Sequence, residues 1–277
     1  MAGSSDWRDI SARIKQAYSG SGHAMYRRIW GANMHMGLFD HADEPLDAAM
    51  ERSNERLADG LLLTADHRVL EVGCGFGGAA LHLAERYGCH VVATDLSDDN
   101  LRTTRERAAA AGLAGLIEVQ PADFHDLPFE DGSFDLWWSQ EALLVAGDRP
   151  LAFAEAARVL RPGGHFVLSD IVMADATPDD RRAELLHESG CTDMWSLDRW
   201  RNEVEGLGLR VEHWLDLTPH MILSYDKARR AMLDNRPEME ALMGVDRLAR
   251  SVDRNQRWID GARQGWLGWG CLRAIKG

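Results

Sequence analysis

The segment Val69–Gly78 reads VLEVGCGFGG. Its glycines at 73, 75 and 78 keep the G-x-G-x-x-G spacing of a tight turn between a strand and a helix. There the missing side chains let the backbone close on a ligand and adopt positive φ. An acid, Glu71, stands two residues before the first glycine, where an apolar strand residue is expected. A carboxylate so near a strand end is costly to bury unless it meets a positive charge or hydrogen-bond donors. Two further acids occupy comparable places. Asp95 closes the run HVVATD, and Asp123 lies in PADFHD, next to Phe124. Asp95 is placed to accept hydrogen bonds from two ribose hydroxyls, and Asp123 from the amino group of a base lying beside Phe124. The chemistry predicted is recognition of a nucleoside-bearing ligand with a cationic end.

These residues need elements that bring strand ends together. The apolar pattern predicts strands over Arg68–Val72, Cys89–Thr94, Leu116–Gln120, Phe134–Ser139, His165–Ile171 and Leu209–Leu217, with a last one over Gly268–Lys276. Helices are predicted over Gly78–Tyr87, closed by Gly88, and over Ser97–Ala111, capped by Ser97 and stopped by Gly112. A third covers Pro150–Leu160 and is ended by Arg161-Pro-Gly-Gly164, and the stretch 226–263 is helical too. Residues 6–60 read as helical around an irregular passage, YRRIWGANMHMGLFD (26–40). Strands alternating with helices imply a parallel α/β sheet covered on both faces. Ligands bind such sheets at the carboxyl ends of the strands, where the strand order reverses. One domain accounts for the length: helical residues 1–60, the alternating core 61–175, and helices with the final strands over 176–277.

The glycine turn and Asp95 suit NAD and S-adenosylmethionine equally. Glu71, Asp123 and the helix–turn–strand RVLRPGGHFVLSD are left unexplained by a dehydrogenase site, whereas a sulfonium and an α-ammonium suit negative surroundings. The ordered set VLEVGCGFGG, VVATDLS, PADFHDLPF, FDLWWS and RVLRPGG resembles the class I S-adenosylmethionine-dependent methyltransferases over residues 60–175. The resemblance implies a doubly wound, seven-stranded Rossmann-like sheet whose last strand is antiparallel, with a helical N-terminal lid and helical insertions. It implies S-adenosylmethionine as cofactor, with Glu71, Gly73, Gly75 and Gly77 along its methionine and ribose side. Asp95 and Leu96 would hold the ribose and adenine edge, Asp123 and Phe124 the base, and Ser139 and Gln140 would lie beneath the methionine part.

Outside that core, IWGANMHMGLFD, WSQEALL, CTDMWSL and WIDGARQGWLGWGCLRAIK resemble the sarcosine/dimethylglycine N-methyltransferases. That likeness implies N-methylation of a secondary or tertiary amine, as in betaine synthesis, with His35 facing the acceptor and the N-terminal segment closing as a lid. Parts of it are shared with C- and O-methyltransferases of prenyl and natural-product acceptors, which remain the second reading. Where the family tends to carry a His after its W-S-Q-D motif this chain has Val145, and Glu141 stands for the usual Asp. His35 and Glu141 are the catalytic candidates, and Tyr26, Trp30 and His35 the substrate-binding ones. On the residues alone, His35 equally suits a core-edge histidine and Glu141 an ion pair on its own helix. The tryptophans outside the core suit helix packing, Trp30 excepted. Arg27, Arg28 and Arg149 are open to a substrate carboxylate, and none is assigned.

The 277 residues carry a formal net charge of −13, which excludes a general nucleic-acid binder. The four cysteines show no metal spacing and read as reduced thiols, so no metal is expected. With no signal-peptide layout and no apolar run of membrane-spanning length, a cytoplasmic enzyme with a small-molecule substrate and no membrane partner is expected. Self-association is left open.

Overall fold

Val69, Leu70 and Val72 are buried on both faces of strand β1 (Arg68–Val72), as a central parallel strand demands. The computed structural model describes residues 6–187, 189–191 and 193–277. Thr192 of the CTDMWSL passage, Glu188 and the first five residues lie outside that description. Helices α1 (Trp7–Ala17), α2 (Ser21–Trp30) and α3 (Leu46–Ala58) precede the sheet. The alternating core runs β1, α4 (Gly78–Tyr87), β2 (His90–Asp95), α5 (Asp98–Ala110), β3 (Ile117–Pro121), β4 (Phe134–Gln140), α6 (Arg149–Val159) and β5 (Leu160–Met173). Then come α7 (Asp179–Leu186), α8 (Leu197–Gly206) and β6 (Leu209–Asp216). Helices α9 (Thr218–Asp234), α10 (Arg236–Met243) and α11 (Val245–Arg263) lead to β7 (Leu267–Lys276).

The sheet order is β3-β2-β1-β4-β5-β7-β6. Pairings among β1 to β5 are parallel, and β7 lies antiparallel between β5 and β6. This is the doubly wound sheet with an antiparallel last strand that the resemblance implies. Its order reverses between β1 and β4, so a crevice opens where their carboxyl ends diverge. One face packs Leu83, Trp138, Val167 and Trp269; the other packs Trp137, Phe153, Phe166 and Trp195. A third apolar cluster joins Met25 and Ile29 of α2 to Ala228, Met232, Met239 and Leu248 of α9–α11. It docks the N-terminal helices on the insertion between β6 and β7.

Local chemistry sets the boundaries. The Ser97 side chain accepts from the Asn100 N–H, and Asp148 from that of Leu151, capping α5 and α6. Gly88 ends α4 in the left-handed region. The irregular passage expected from Tyr26 starts only at Gly31, whose φ of 70° stops α2. Its five preceding residues are helical because their apolar members have α9 and α10 to pack on. The Pro-Gly-Gly turn does not separate a helix from a later strand: Leu160 already pairs with Phe134, and a bulge absorbs the extra residues before Leu136 meets His165. The helical stretch expected from 226 begins at Thr218 and divides into three. No helix among the described residues is long and apolar enough to cross a membrane.

Candidate active site

The cavity at the switch point holds about 1320 Å³ of space, its open mouth included. Gly73, Gly75, Asp95, Leu96, Ala122 and Phe124 line it from the ends of β1, β2 and β3. Gly73 and Gly75 take φ of 68° and 54°, which L side chains rarely adopt. A Cβ at Gly73 would run into the Ala142 methyl, so the turn admits no side chain. Asp95 fastens this turn to the next: one carboxylate oxygen accepts from the Gly75 N–H at 2.9 Å, the other from the Ser97 N–H at 2.8 Å. Asn100 donates to both oxygens at 3.2 Å. Burial pushes the Asp95 carboxyl up against these hydrogen bonds.

Glu71, Gly77, Asp123 and Ser139 do not line the cavity; they stand behind its wall. Glu71 is 5% exposed, one of its oxygens has no partner among the described residues, and burial raises its pKa to about 8. A buried carboxylate with an open acceptor position calls for a cation or a donor. Asp123 accepts from the backbone N–H of His125 and contacts its ring at 2.7 Å, so its carboxylate already has partners. Gln140 accepts from Trp138 Nε1 at 2.9 Å, while its own amide nitrogen has no partner among the described residues.

Glu141 lies just past β4, not on a helix, and among the described residues it alone is a non-glycine at positive φ, 49°. The expected helical ion pair is therefore corrected. Its Oε1 accepts from Ser169 Oγ at 2.7 Å and from Trp269 Nε1 at 2.8 Å, and its Oε2 from the Met36 N–H at 2.8 Å. The carboxylate thus joins β5, β7 and the irregular passage. Burial, followed by repulsion from Asp170, raises its pKa to about 8. Beside it Asp170 accepts from Leu144 N–H at 2.7 Å and fixes the 3₁₀ turn Leu143–Val145; burial raises this carboxyl to about 7.

His35 lines the cavity and is 6% exposed. Its Nδ1 lies 3.0 Å from the Met36 carbonyl, so Nδ1 carries the proton and Nε2 keeps a lone pair with no partner among the described residues. Burial lowers its pKa to about 4, leaving it neutral at pH 7.

Much of the remaining lining is aromatic. Trp30 meets the Tyr225 ring edge-on at 5.9 Å, Tyr225 meets Trp258 at 5.2 Å, and Tyr18 stacks on Tyr26 at 4.7 Å. All five line the cavity, as do Ser251, Arg254 and Asn255 of α11. Tyr26 and Trp30 were expected there; Tyr18, Tyr225 and the α11 residues were missed. Their signal is the spacing 251, 254, 255, 258, one face of a helix, which in isolation reads as packing. Of the three arginines left open, Arg28 binds Glu238 and Asn235, and Arg149 donates to the Leu144 and Asp193 carbonyls. Neither these two nor Arg27 lines the cavity.

Known proteins agree with this geometry. Residues 70–168 match the model of a methyltransferase domain. The chain is 34% identical to the sarcosine/dimethylglycine N-methyltransferase of Halorhodospira halochloris, over 91% of each protein. It is 32% identical to the glycine/sarcosine/dimethylglycine N-methyltransferase of Actinopolyspora halophila over 90% of its own length, but spans only 44% of that larger protein. Among solved structures, a Galdieria sulphuraria protein provisionally assigned as a sarcosine dimethylglycine methyltransferase superposes with a TM-score of 0.85 at 28% identity, covering 92% of this chain and 97% of that one. The side chains present suit such a cofactor: a glycine turn open to close approach, an aspartate set among N–H donors, and a buried acid awaiting positive charge. A cleft of this kind, in a chain matched along nine tenths of its length by an enzyme of that class, makes the protein a member of the S-adenosylmethionine-dependent small-molecule methyltransferases.

Proposed function

We propose that the enzyme N-methylates a small amine of the sarcosine/dimethylglycine type, leading toward a betaine. The observation that carries this reading is the aromatic group of Trp30, Tyr225 and Trp258, which lines the same cavity as the glycine turn. Ring faces stabilise a nitrogen that gains positive charge as it is methylated, by roughly 0.5–2 kcal/mol each depending on desolvation. The relatives named above support the same substrate class.

Cofactor residues are assigned as follows. Gly73, Gly75 and Gly77 shape the turn that the methionine and ribose side approaches, with Glu71 behind it countering positive charge. Asp95 and Leu96 receive the ribose and adenine edge, Phe124 and Asp123 the base, and Gln140 with Ser139 the methionine end. When bound, S-adenosylmethionine would supply a methyl carbon, activated by positively charged sulfur, to the amine lone pair, the C–S bonding electrons staying with sulfur. The protein's task is then to hold a neutral amine in line with that carbon and to exclude water. With sarcosine, one proton leaves the product nitrogen. His35, neutral and with Nε2 unprotonated, is assigned to the acceptor side as a hydrogen-bond acceptor. Glu141 holds the lid segment to the sheet; its oxygens are already engaged, which supports a positioning part over proton transfer.

Incubation with methyl-labelled S-adenosylmethionine and, separately, sarcosine, dimethylglycine and a prenyl diphosphate with magnesium tests the reading. Label is expected in the two amino acids. Label appearing only in the prenyl product would overturn it in favour of C-methylation.

A further inference from the structure

The cavity has a charge problem that the cofactor does not solve. Asp95 and Glu141 line it, and Asp170 and Glu71 lie just behind. An amino-acid acceptor brings its own carboxylate into this negative field. Among the described residues lining the cavity, Arg254 is the only lysine or arginine. It lies on α11, and its charge is felt by Tyr18 and Tyr225 among the cavity's aromatic residues.

A second feature sits one position along. Asn255 is 3% exposed, lines the same cavity, and its side-chain oxygen has no hydrogen-bond partner among the described residues. A buried amide oxygen left open is unfavourable, so such an atom in a cavity wall calls for a donor from a ligand. Ser251 and Trp258 complete the face, at the i, i+3, i+4 and i+7 positions of one helix.

We infer that this face of α11 is the acceptor subsite, in which the Arg254 guanidinium binds the carboxylate of a small amino-acid substrate and the Asn255 side-chain oxygen receives an N–H or O–H hydrogen from the same ligand. The inference rests on the amine reading above and narrows it to amines that carry a carboxylate. A guanidinium suits the task because its planar donor fork matches a carboxylate in geometry and stays charged at any relevant pH. The chemistry excludes bare amines and amino alcohols as good substrates, although the aromatic residues would accept their nitrogens.

The test compares dimethylglycine with its carboxamide, N,N-dimethylglycinamide, on wild type, Arg254→Ala and Arg254→Lys. Wild type is expected to prefer the acid strongly. Arg254→Ala should lower kcat/KM for dimethylglycine at least about 30-fold, mainly through KM, since a desolvated charge partner is removed. The same variant should change kcat/KM for the amide less than about threefold, so that the preference collapses. Arg254→Lys should recover part of the loss. S-adenosylmethionine affinity by calorimetry should stay unchanged, which also shows that the variants are folded. If wild type methylates dimethylglycine and Arg254→Ala does so equally well, or loses both substrates alike, the subsite is wrong and the amine reading survives. If wild type methylates neither compound, the amine reading itself falls, and the subsite with it.

Discussion

Glu71 is buried without a full set of donors, and its pKa of about 8 means that it holds a proton at neutral pH when no cation is near. A positively charged ligand favours the ionised form, so binding should release a proton and tighten as the pH rises through about 8. Calorimetry in buffers of different ionisation heat measures both effects. Glu71→Gln should flatten the pH dependence and cost about tenfold in affinity at the alkaline end. A dependence unchanged by the substitution would remove Glu71 from the cofactor's surroundings. At this scale the sequence was informative where geometry is stereotyped. Asp95 was legible because a strand end fixes where its carboxylate goes. Glu141 was not: QEALL has helical composition, and nothing in the residue types announces a backbone at φ 49°. Arg254 and Asn255 were invisible for another reason, since a charged or amide residue on a helix looks the same whether it meets water or a cavity.

Among the elements, the irregular passage after α2 is tied to helices α3, α5 and α9 by side chains of Arg52, Arg107, Ser224 and His220, and to the sheet by Glu141. Met36 N–H donates to Glu141, whose other oxygen is tied to β5 and β7. Glu141→Ala would leave three donors without their acceptor, and each buried orphan costs about 1–3 kcal/mol. Destabilisation of at least about 2 kcal/mol is expected in urea unfolding, together with faster proteolysis between α2 and α3. Unfolding at the wild-type midpoint would show that the carboxylate does not hold the passage. Helix boundaries followed the same logic. Ser97, Gly88 and Gly112 were readable as caps and stops because their chemistry is local, whereas the start of α9 and the join between α6 and β5 are set by packing partners remote in sequence.

For the whole molecule, four buried carboxyls share one direction, Asp95 among them. Glu71 and Glu141 are raised to about 8 and Asp170 to about 7, in each case by burial first. A raised acid keeps its proton when folded and loses it when unfolded, so the ligand-free protein should lose stability as pH climbs toward about 8. His35 acts oppositely, its pKa falling from 6.5 to about 4, but only below 6.5. Between 6.5 and about 8 the acids alone set the sign. Thermal melts of the ligand-free protein should show a falling midpoint over that window, and saturating S-adenosylmethionine should lessen the slope. A midpoint that rises there would contradict the burial of these groups. The sheet itself was legible from alternation, because strands covered on both faces are apolar throughout; the docking of α2 on α9–α11 was not, because amphipathic stripes do not name their partners. Since β7 runs against both neighbours, β6 points the same way as β1 and β4, and the chain that leaves it emerges on the cofactor's rim and returns to the rim to begin β7. Residues 218–266 therefore form a cassette with both ends at one edge, docked on α2. Acceptor preference could be grafted between relatives by exchanging that cassette, leaving the nucleoside half of the enzyme untouched.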